Sequence, residues 1–145
     1  MHLFGTKEPD QKYIKRLAVY GIMYDHSSRI GVIQRTYDKL LFLPGGGMEK
    51  EENELETLRR EVMEETGYSI SKPSFLCEAT QFFQSRDGSQ YIQNIASFFS
   101  CTPGLKEMEP VEEDHELIWL PPDEAASGLL HEHQAWAVRK WNGLP

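Results

Sequence analysis

The sequence contains little cysteine and no long apolar run. Cys77 and Cys101 are its two cysteines among 145 residues, which argues against a disulfide framework and predicts a reducing, cytoplasmic compartment. The longest unbroken apolar run, 17–23, is far shorter than the roughly 20 residues of a membrane helix. The first residues also lack the charged and then apolar layout of a signal peptide. We therefore expect a cytoplasmic protein with no membrane partner.

Positive charge is scarce as well. Fifteen Lys and Arg residues stand against 23 Asp and Glu residues, and the net charge of −8 argues against a long nucleic acid as a partner. The excess of acid is local, because segment 49–65 holds eight acidic and three basic residues and segment 106–116 holds six and one. Each segment therefore has a net charge of −5, and the rest of the chain is +2. Two places in the sequence collect carboxylates.

The length and the apolar content of 39% fit one globular domain spanning 1–145. Apolar runs bounded by turn residues predict strands at 14–24, 29–34, 40–43, 74–84, 90–101 and 116–120. The turn 25–28 predicts that the first two strands form a hairpin, and 85–89 predicts a second hairpin. The glycine run 44–47 and the acidic stretch after 104 are expected to be loops, and helices are expected from 121 and at 131–141. This order indicates an α/β sandwich.

A central helix is predicted at 53–66. Apolar residues recur there with helical spacing, at Leu55, Leu58 and Val62. Asn53 and Glu56 have the spacing of a capping box, and Gly67 follows as a natural stop.

Three glutamates of this helix, Glu61, Glu64 and Glu65, share one sector of its surface. Each like-charge pair costs an isolated helix about 0.2–0.5 kcal/mol, and the negative end of the helix dipole adds to the repulsion. Arg60 could reach a carboxylate only around the helix or across to the preceding loop. Such a set of oxygen ligands suits a hard cation such as Mg²⁺, and the glycines just upstream would let backbone approach a metal or a phosphate. A solvated charged face is the alternative.

The run from Gly46 to Tyr68 resembles the complete Nudix box of the Nudix hydrolases. Glu52 follows Gly46 after five residues, and Arg60 begins a run that reads Arg-Glu-Val-Met-Glu-Glu-Thr-Gly-Tyr. Tyr68 departs from the family, which most often has an aliphatic residue there. The resemblance implies an α/β/α sandwich with a mixed central sheet. It further implies hydrolysis of a nucleoside diphosphate linked to another group, with Mg²⁺ or Mn²⁺ as cofactor.

The resemblance also implies roles for individual residues. Glu61, Glu64 and Glu65 would bind the metal together with the Gly46 carbonyl, and Arg60 would orient the carboxylates through Glu52 or Glu61. The catalytic base would be a glutamate of the box or of a distal loop. The loop candidates are Glu112, Glu113 and Glu116. Glu116 is favoured because it adjoins the apolar residues 117–119.

Residues outside the box are less decisive. Gly45 and Gly46 are expected to contact substrate, and three strand aromatics could stack on a base or belong to the core: Phe82, Phe83 and Tyr91. The i, i+2 spacing of His131 and His133 favours surface or capping use over metal binding. Trp136 and Trp141 are assigned either to the core or to a homodimer contact.

The expected substrate is a small nucleotide. The short chain favours a nucleoside triphosphate pyrophosphohydrolase of the MutT type, and an ADP-ribose or nucleotide-sugar pyrophosphatase is the alternative. A catalytically silent nucleotide-binding module would be a protein of another class. The intact set of Glu52, Arg60 and the three helix glutamates argues against it, because a silent module does not need these residues.

Overall fold

The structure is a computed structural model that describes residues 2–143, so that residues 1, 144 and 145 of the predicted domain lie outside it. Its strands are β1 His2–Phe4, β2 Tyr13–Met23, β3 Ile30–Arg35, β4 Leu41–Phe42, β5 Gly45–Gly47, β6 Tyr68–Gln84, β7 Tyr91–Lys106 and β8 His115–Leu120. Its helices are α1 Glu54–Thr66, α2 Pro122–Gly128 and α3 Glu132–Trp141. None of the described helices is both long and apolar enough to span a membrane.

The strands form two sheets. The larger has the order β1-β6-β7-β2-β5, and the smaller has the order β4-β3-β8. The larger sheet is mixed, because β2 is parallel to β7 and antiparallel to β5. Successive side chains of β2 point into different cores. Ala18 packs in the core that includes α2 and α3, whereas Val19 packs in the core under α1. The predicted α/β/α architecture with a mixed central sheet is confirmed.

Two local predictions are wrong. Segments 14–24 and 29–34 are strands but not a hairpin, because β2 lies in the larger sheet and β3 in the smaller one. An isolated bridge between Tyr24 and Ile30 is all that remains of the pairing. The glycine run is also not a loop, since 45–47 pairs with 18–20 as the edge strand β5. Strand β7 continues to Lys106, beyond its predicted end, whereas the second predicted hairpin is confirmed as β6 and β7.

Helix α1 begins and ends as predicted. Asn53 accepts a hydrogen bond from the Glu56 backbone N–H at 2.8 Å, and the Glu56 side chain accepts one from the Asn53 N–H at 2.9 Å. Gly67 ends the helix in the left-handed region, at φ 80°. Leu55 does not belong to the buried stripe, because it is 37% exposed. Glu65 lies among the buried residues of the helix instead, which places a carboxylate at the edge of the core.

Helix α3 packs on the larger sheet, against β6 and β1. His133 is fully buried, and its Nε2 lies 2.9 Å from Asn94 Oδ1, so the expected surface or capping use is wrong for this histidine. His131 precedes the helix but makes no side-chain capping bond. Trp136 and Trp141 pack against the core of their own chain, which favours the first of the two roles considered for them. The i, i+2 spacing did not predict this burial, because the Asn94 amide gives the His133 imidazole a hydrogen-bond partner inside the core.

Candidate active site

The carboxylates of α1 face the glycine strand β5. Glu65 is buried, and its Oε1 accepts a hydrogen bond of 2.7 Å from the Gly45 backbone N–H. At Gly46 a Cβ atom would lie 2.7 Å from the Glu61 carboxyl carbon, so a side chain there would collide with the carboxylate. The glycines therefore allow the helix glutamates to approach the sheet edge directly.

Arg60 joins the helix to the loop before it. Its Nε and Nη2 donate to the two oxygens of Glu52 at 2.7 and 2.9 Å, and its Nη1 donates to Glu61 Oε1 at 2.9 Å. Nη2 also donates to the Gly47 carbonyl oxygen at 3.1 Å. This guanidinium fixes one metal-ligand candidate, Glu61, relative to the glycine strand. The predicted contacts of Arg60 with Glu52 and Glu61 are both present.

The electrostatics differ sharply between these carboxylates. The hydrogen bonds from Arg60 hold the pKa of Glu52 at about 2, well below its usual range. Burial raises the pKa of Glu65 to about 8, and the charges of Glu61, Glu112 and Glu64 add to the rise despite the bond from Gly45. The pKa of Glu61 is also raised, chiefly by burial. Without a cation, the protein thus holds Glu65 in an environment that disfavours its charge.

A second acidic segment approaches the same place. His115, the first residue of β8, has its Nδ1 3.9 Å from Glu65 Oε2 and 3.8 Å from Glu112 Oε2. That nitrogen is buried and has no hydrogen-bond partner among the described residues. Possible ligand atoms of Glu112, Asp114 and His115 lie within 4.8 Å of one another. The loop before β8 therefore brings Glu112 to the box glutamates.

Glu116 does not share this position. It is exposed and pairs with Gln34, one residue beyond the His115 pair of the same strand. Successive strand residues point to opposite faces, so Glu116 points away when His115 faces Glu65. The geometry thus favours Glu112 over Glu116 as the loop carboxylate beside the box glutamates. Local sequence gave no signal for this choice, because the side chain's direction depends on the register between β3 and β8.

A cleft leads away from the glutamates between the two sheets. Its inner part is lined by Glu65, Gly45, His115, Tyr20 and Gln134, among others. Its outer part includes Phe83, Gln81, Arg16 and Arg86. The two parts share lining residues, namely Arg35, Phe42 and His131. The two parts of the cleft therefore adjoin each other, one beside the carboxylates and the other in an aromatic region.

The strand aromatics divide between this cleft and another cluster. The Phe83 ring lies 4.6 Å from that of His131 in the cleft wall. Phe82 and Tyr91 instead pack on Tyr13, with ring centroids 5.5 and 5.4 Å away. Neither of these two residues lines the cleft, which favours the packing role over base stacking for them and leaves Phe83 as the aromatic candidate for stacking. The sequence did not indicate His131, Phe42 or Arg35 as cleft residues, because they lie far apart in the chain and only the tertiary fold brings them together.

The carboxylate site fits a divalent cation. Glu65 is buried beside other carboxylates, and the nearby Arg60 donates to Glu52 and Glu61 instead. A hard cation would satisfy these oxygens, and Glu61, Glu64 and Glu65 with the Gly46 carbonyl would be its ligands. The donor set contains only oxygen, which suits Mg²⁺ or Mn²⁺.

Comparisons with known proteins agree with this fold. The NUDIX domain profile matches residues 14–141. A MutT-like protein of Streptomyces ambofaciens is 24% identical over 144 residues, which cover 99% of this chain and 86% of that protein. The solved mutator MutT protein of Bacillus halodurans is 24% identical with a TM-score of 0.69, covering 86% of this chain and 80% of that one. The MutT protein of Methanosarcina mazei is 18% identical with a TM-score of 0.72, covering 91% and 96%.

Together, the sandwich and the domain match identify a hydrolase of acid anhydrides. The domain match spans nearly the whole chain and includes the box Gly46–Tyr68. This chain belongs to the Nudix family.

Proposed function

We propose that this enzyme hydrolyses a diphosphate linkage in a small nucleotide with Mg²⁺ or Mn²⁺, and that nucleoside triphosphates are its first substrate class. One observation carries the proposal: the box carboxylates lie against the glycine strand at the inner end of an aromatic cleft. The carboxylates suit a cation that binds phosphate, and the cleft suits the nucleoside. The likeness to a MutT-like protein supports the triphosphate class.

The residues have distinct tasks in this proposal. Glu61, Glu64, Glu65 and the Gly46 carbonyl would hold the cation, which when bound supplies charge neutralisation for the phosphate oxygens. Arg60 and Glu52 keep Glu61 in place through the ion pairs described above.

A carboxylate would take the proton of the attacking water. We assign this task to Glu112 or to a box glutamate, because Glu112 approaches the same His115 nitrogen as Glu65. The Gly45 and Gly46 backbone would lie against the diphosphate.

Two alternatives remain distinct from this proposal. An ADP-ribose or nucleotide-sugar pyrophosphatase would use the same carboxylates and release different products. A silent nucleotide-binding module would bind but not cleave. We also propose a cytoplasmic location, which the two free, buried cysteines support.

A nucleotide panel with identified products tests the proposal. We expect the wild-type protein to release pyrophosphate or phosphate from one or more compounds only when Mg²⁺ or Mn²⁺ is added, and Glu65→Gln to be inactive. Glu78→Gln is the matched control, since Glu78 is exposed on β6. Equal inactivity of wild type and Glu65→Gln on every compound would leave the silent module as the better description.

A further inference from the structure

The outer end of the cleft is rich in arginine. Arg16 from β2, Arg35 from β3 and Arg86 from the turn between β6 and β7 line it together. Among its lining residues Glu132 is the one carboxylate. Three guanidiniums from three elements are notable in a chain with a net charge of −8. The cleft is therefore acidic at its inner end and basic at its outer end.

Two of these arginines already bind an anion. Asp38 accepts hydrogen bonds from Arg35, at 2.9 Å for the Nη2 contact, and from Arg86. Arg35 also lies over the Phe42 ring, with its guanidinium carbon 4.8 Å from the ring centroid. Asp38 shows that a carboxylate-sized anion fits between the two guanidiniums, and this pair keeps one positive charge beyond that of Asp38.

Arg16 is the third cation. Its side chain donates to Gln90 Oε1 at 3.5 Å, the outer limit of a hydrogen bond. Within residues 2–143 no carboxylate lies within 4.0 Å of its guanidinium, and the residue is exposed. With Asp38 and Glu132 included, three guanidiniums face two carboxylates, so the outer end keeps a positive surplus.

We propose that the outer end binds a second anionic group of the substrate, a phosphate monoester on the nucleoside half. This inference rests on the proposed function, because the nucleoside must lie in the cleft for its phosphate to reach Arg16 and Arg86. Guanidinium groups bind phosphate through paired hydrogen bonds, and a monoester has a charge of about −1.5 to −2 near pH 7. Phe42 lines both parts of the cleft, Phe83 lies in the outer part against His131, and these two rings would hold the base. The substrate class is thus a nucleotide with a ribose phosphate in addition to its diphosphate.

Calorimetric binding without metal tests this inference on compounds that contain no diphosphate bond. Adenosine 2′,5′-bisphosphate and the 3′,5′-bisphosphates of adenosine and guanosine are compared with the corresponding 5′-monophosphates. We expect one or more bisphosphates to bind about tenfold or more tightly than its monophosphate, as charge-assisted hydrogen bonds would provide. Arg16→Gln and Arg86→Gln should each reduce this preference to about twofold or less. Both arginines are exposed, so neither change removes a core residue.

Arg29→Gln is the control, because Arg29 pairs with Asp25 in another turn and should keep the full preference. The inference is overturned if no bisphosphate binds better than its monophosphate, or if the preference survives both cleft variants. Absence of hydrolysis on the nucleotide panel would instead overturn the proposed function, and the binding preference would still be measured.

Discussion

The two ends of the cleft are built in different ways. The acidic end comes largely from one continuous segment, in which Glu52, Arg60, Glu61 and Glu65 lie within a loop and a single helix. The aromatic and basic end gathers side chains from β2, β3, β4, β6, the following turn and the start of α3. A loop and a single helix can hold reacting groups in a fixed geometry. A cleft wall formed by several elements can be altered one residue at a time without disturbing that geometry. We infer that chemistry is located at the first end and substrate choice at the second.

The largest expected effect is at the acidic end. Glu61→Gln or Glu65→Gln should lower kcat by about 10²–10⁴-fold, because each removes a charged oxygen from the proposed cation site. Both variants should remain folded, since they relieve repulsion between neighbouring carboxylates. Steady-state kinetics measure the fall in kcat, and thermal unfolding without metal measures the stability of the two variants. A fall in the unfolding temperature of both variants would contradict the stability part.

The next effect concerns the residues that position Glu61. Arg60→Lys keeps the charge but cannot form the paired bonds to Glu52, so we expect activity to fall about 10–100-fold, as for other groups that orient metal ligands. Glu52→Gln should have an effect of similar size. Unchanged activity with an unchanged metal requirement in both variants would show that this ion pair only stabilises the fold.

A smaller effect is expected in the cleft wall. Phe83→Ala should raise KM about fivefold or more by removing a stacking surface, with kcat little changed. Tyr91→Ala should leave KM nearly constant, because Tyr91 packs on Tyr13 outside the cleft. Kinetics on one nucleotide compare the two variants. A rise in KM for Tyr91→Ala without a rise for Phe83→Ala would indicate instead that Tyr91 stacks on the base.

The smallest expected effect is a pH dependence of stability without metal. The pKa of Glu65 is about 8 in the folded protein and near 4.5 as an ordinary carboxyl, so the folded state binds the extra proton between these values. Glu65 therefore makes the free energy of unfolding fall as pH rises from about 5 to 8. His131 and His133, whose pKa values burial lowers to about 4 and 3, make it rise up to about pH 6.5. A net fall is therefore expected above about pH 7. Glu52 adds no slope there, because its pKa is lowered and it is ionised throughout. Denaturant unfolding at several pH values should show a flatter profile for Glu65→Gln.

The same contrast explains what the sequence could predict. Helix α1 and its caps follow from spacing within the segment, and the contact of Arg60 with Glu52 spans only eight residues. The separation of β2 from β3 depends on strand partners far along the chain, β7 for one and β8 for the other. For the same reason, the choice between Glu112 and Glu116, and that between Phe83 and Phe82, could not be made before the register was known. Tertiary pairing decides which face a strand residue occupies.

The division between chemistry at the acidic end and substrate choice at the aromatic and basic end is tested most directly by one comparison. It measures kcat and KM of Glu65→Gln and Phe83→Ala on the best nucleotide of the panel, at saturating Mg²⁺. We predict that Glu65→Gln loses kcat while Phe83→Ala raises KM and keeps kcat within about twofold. Wild-type kcat in Glu65→Gln, or a loss of kcat in Phe83→Ala as large as that in Glu65→Gln, would contradict this division.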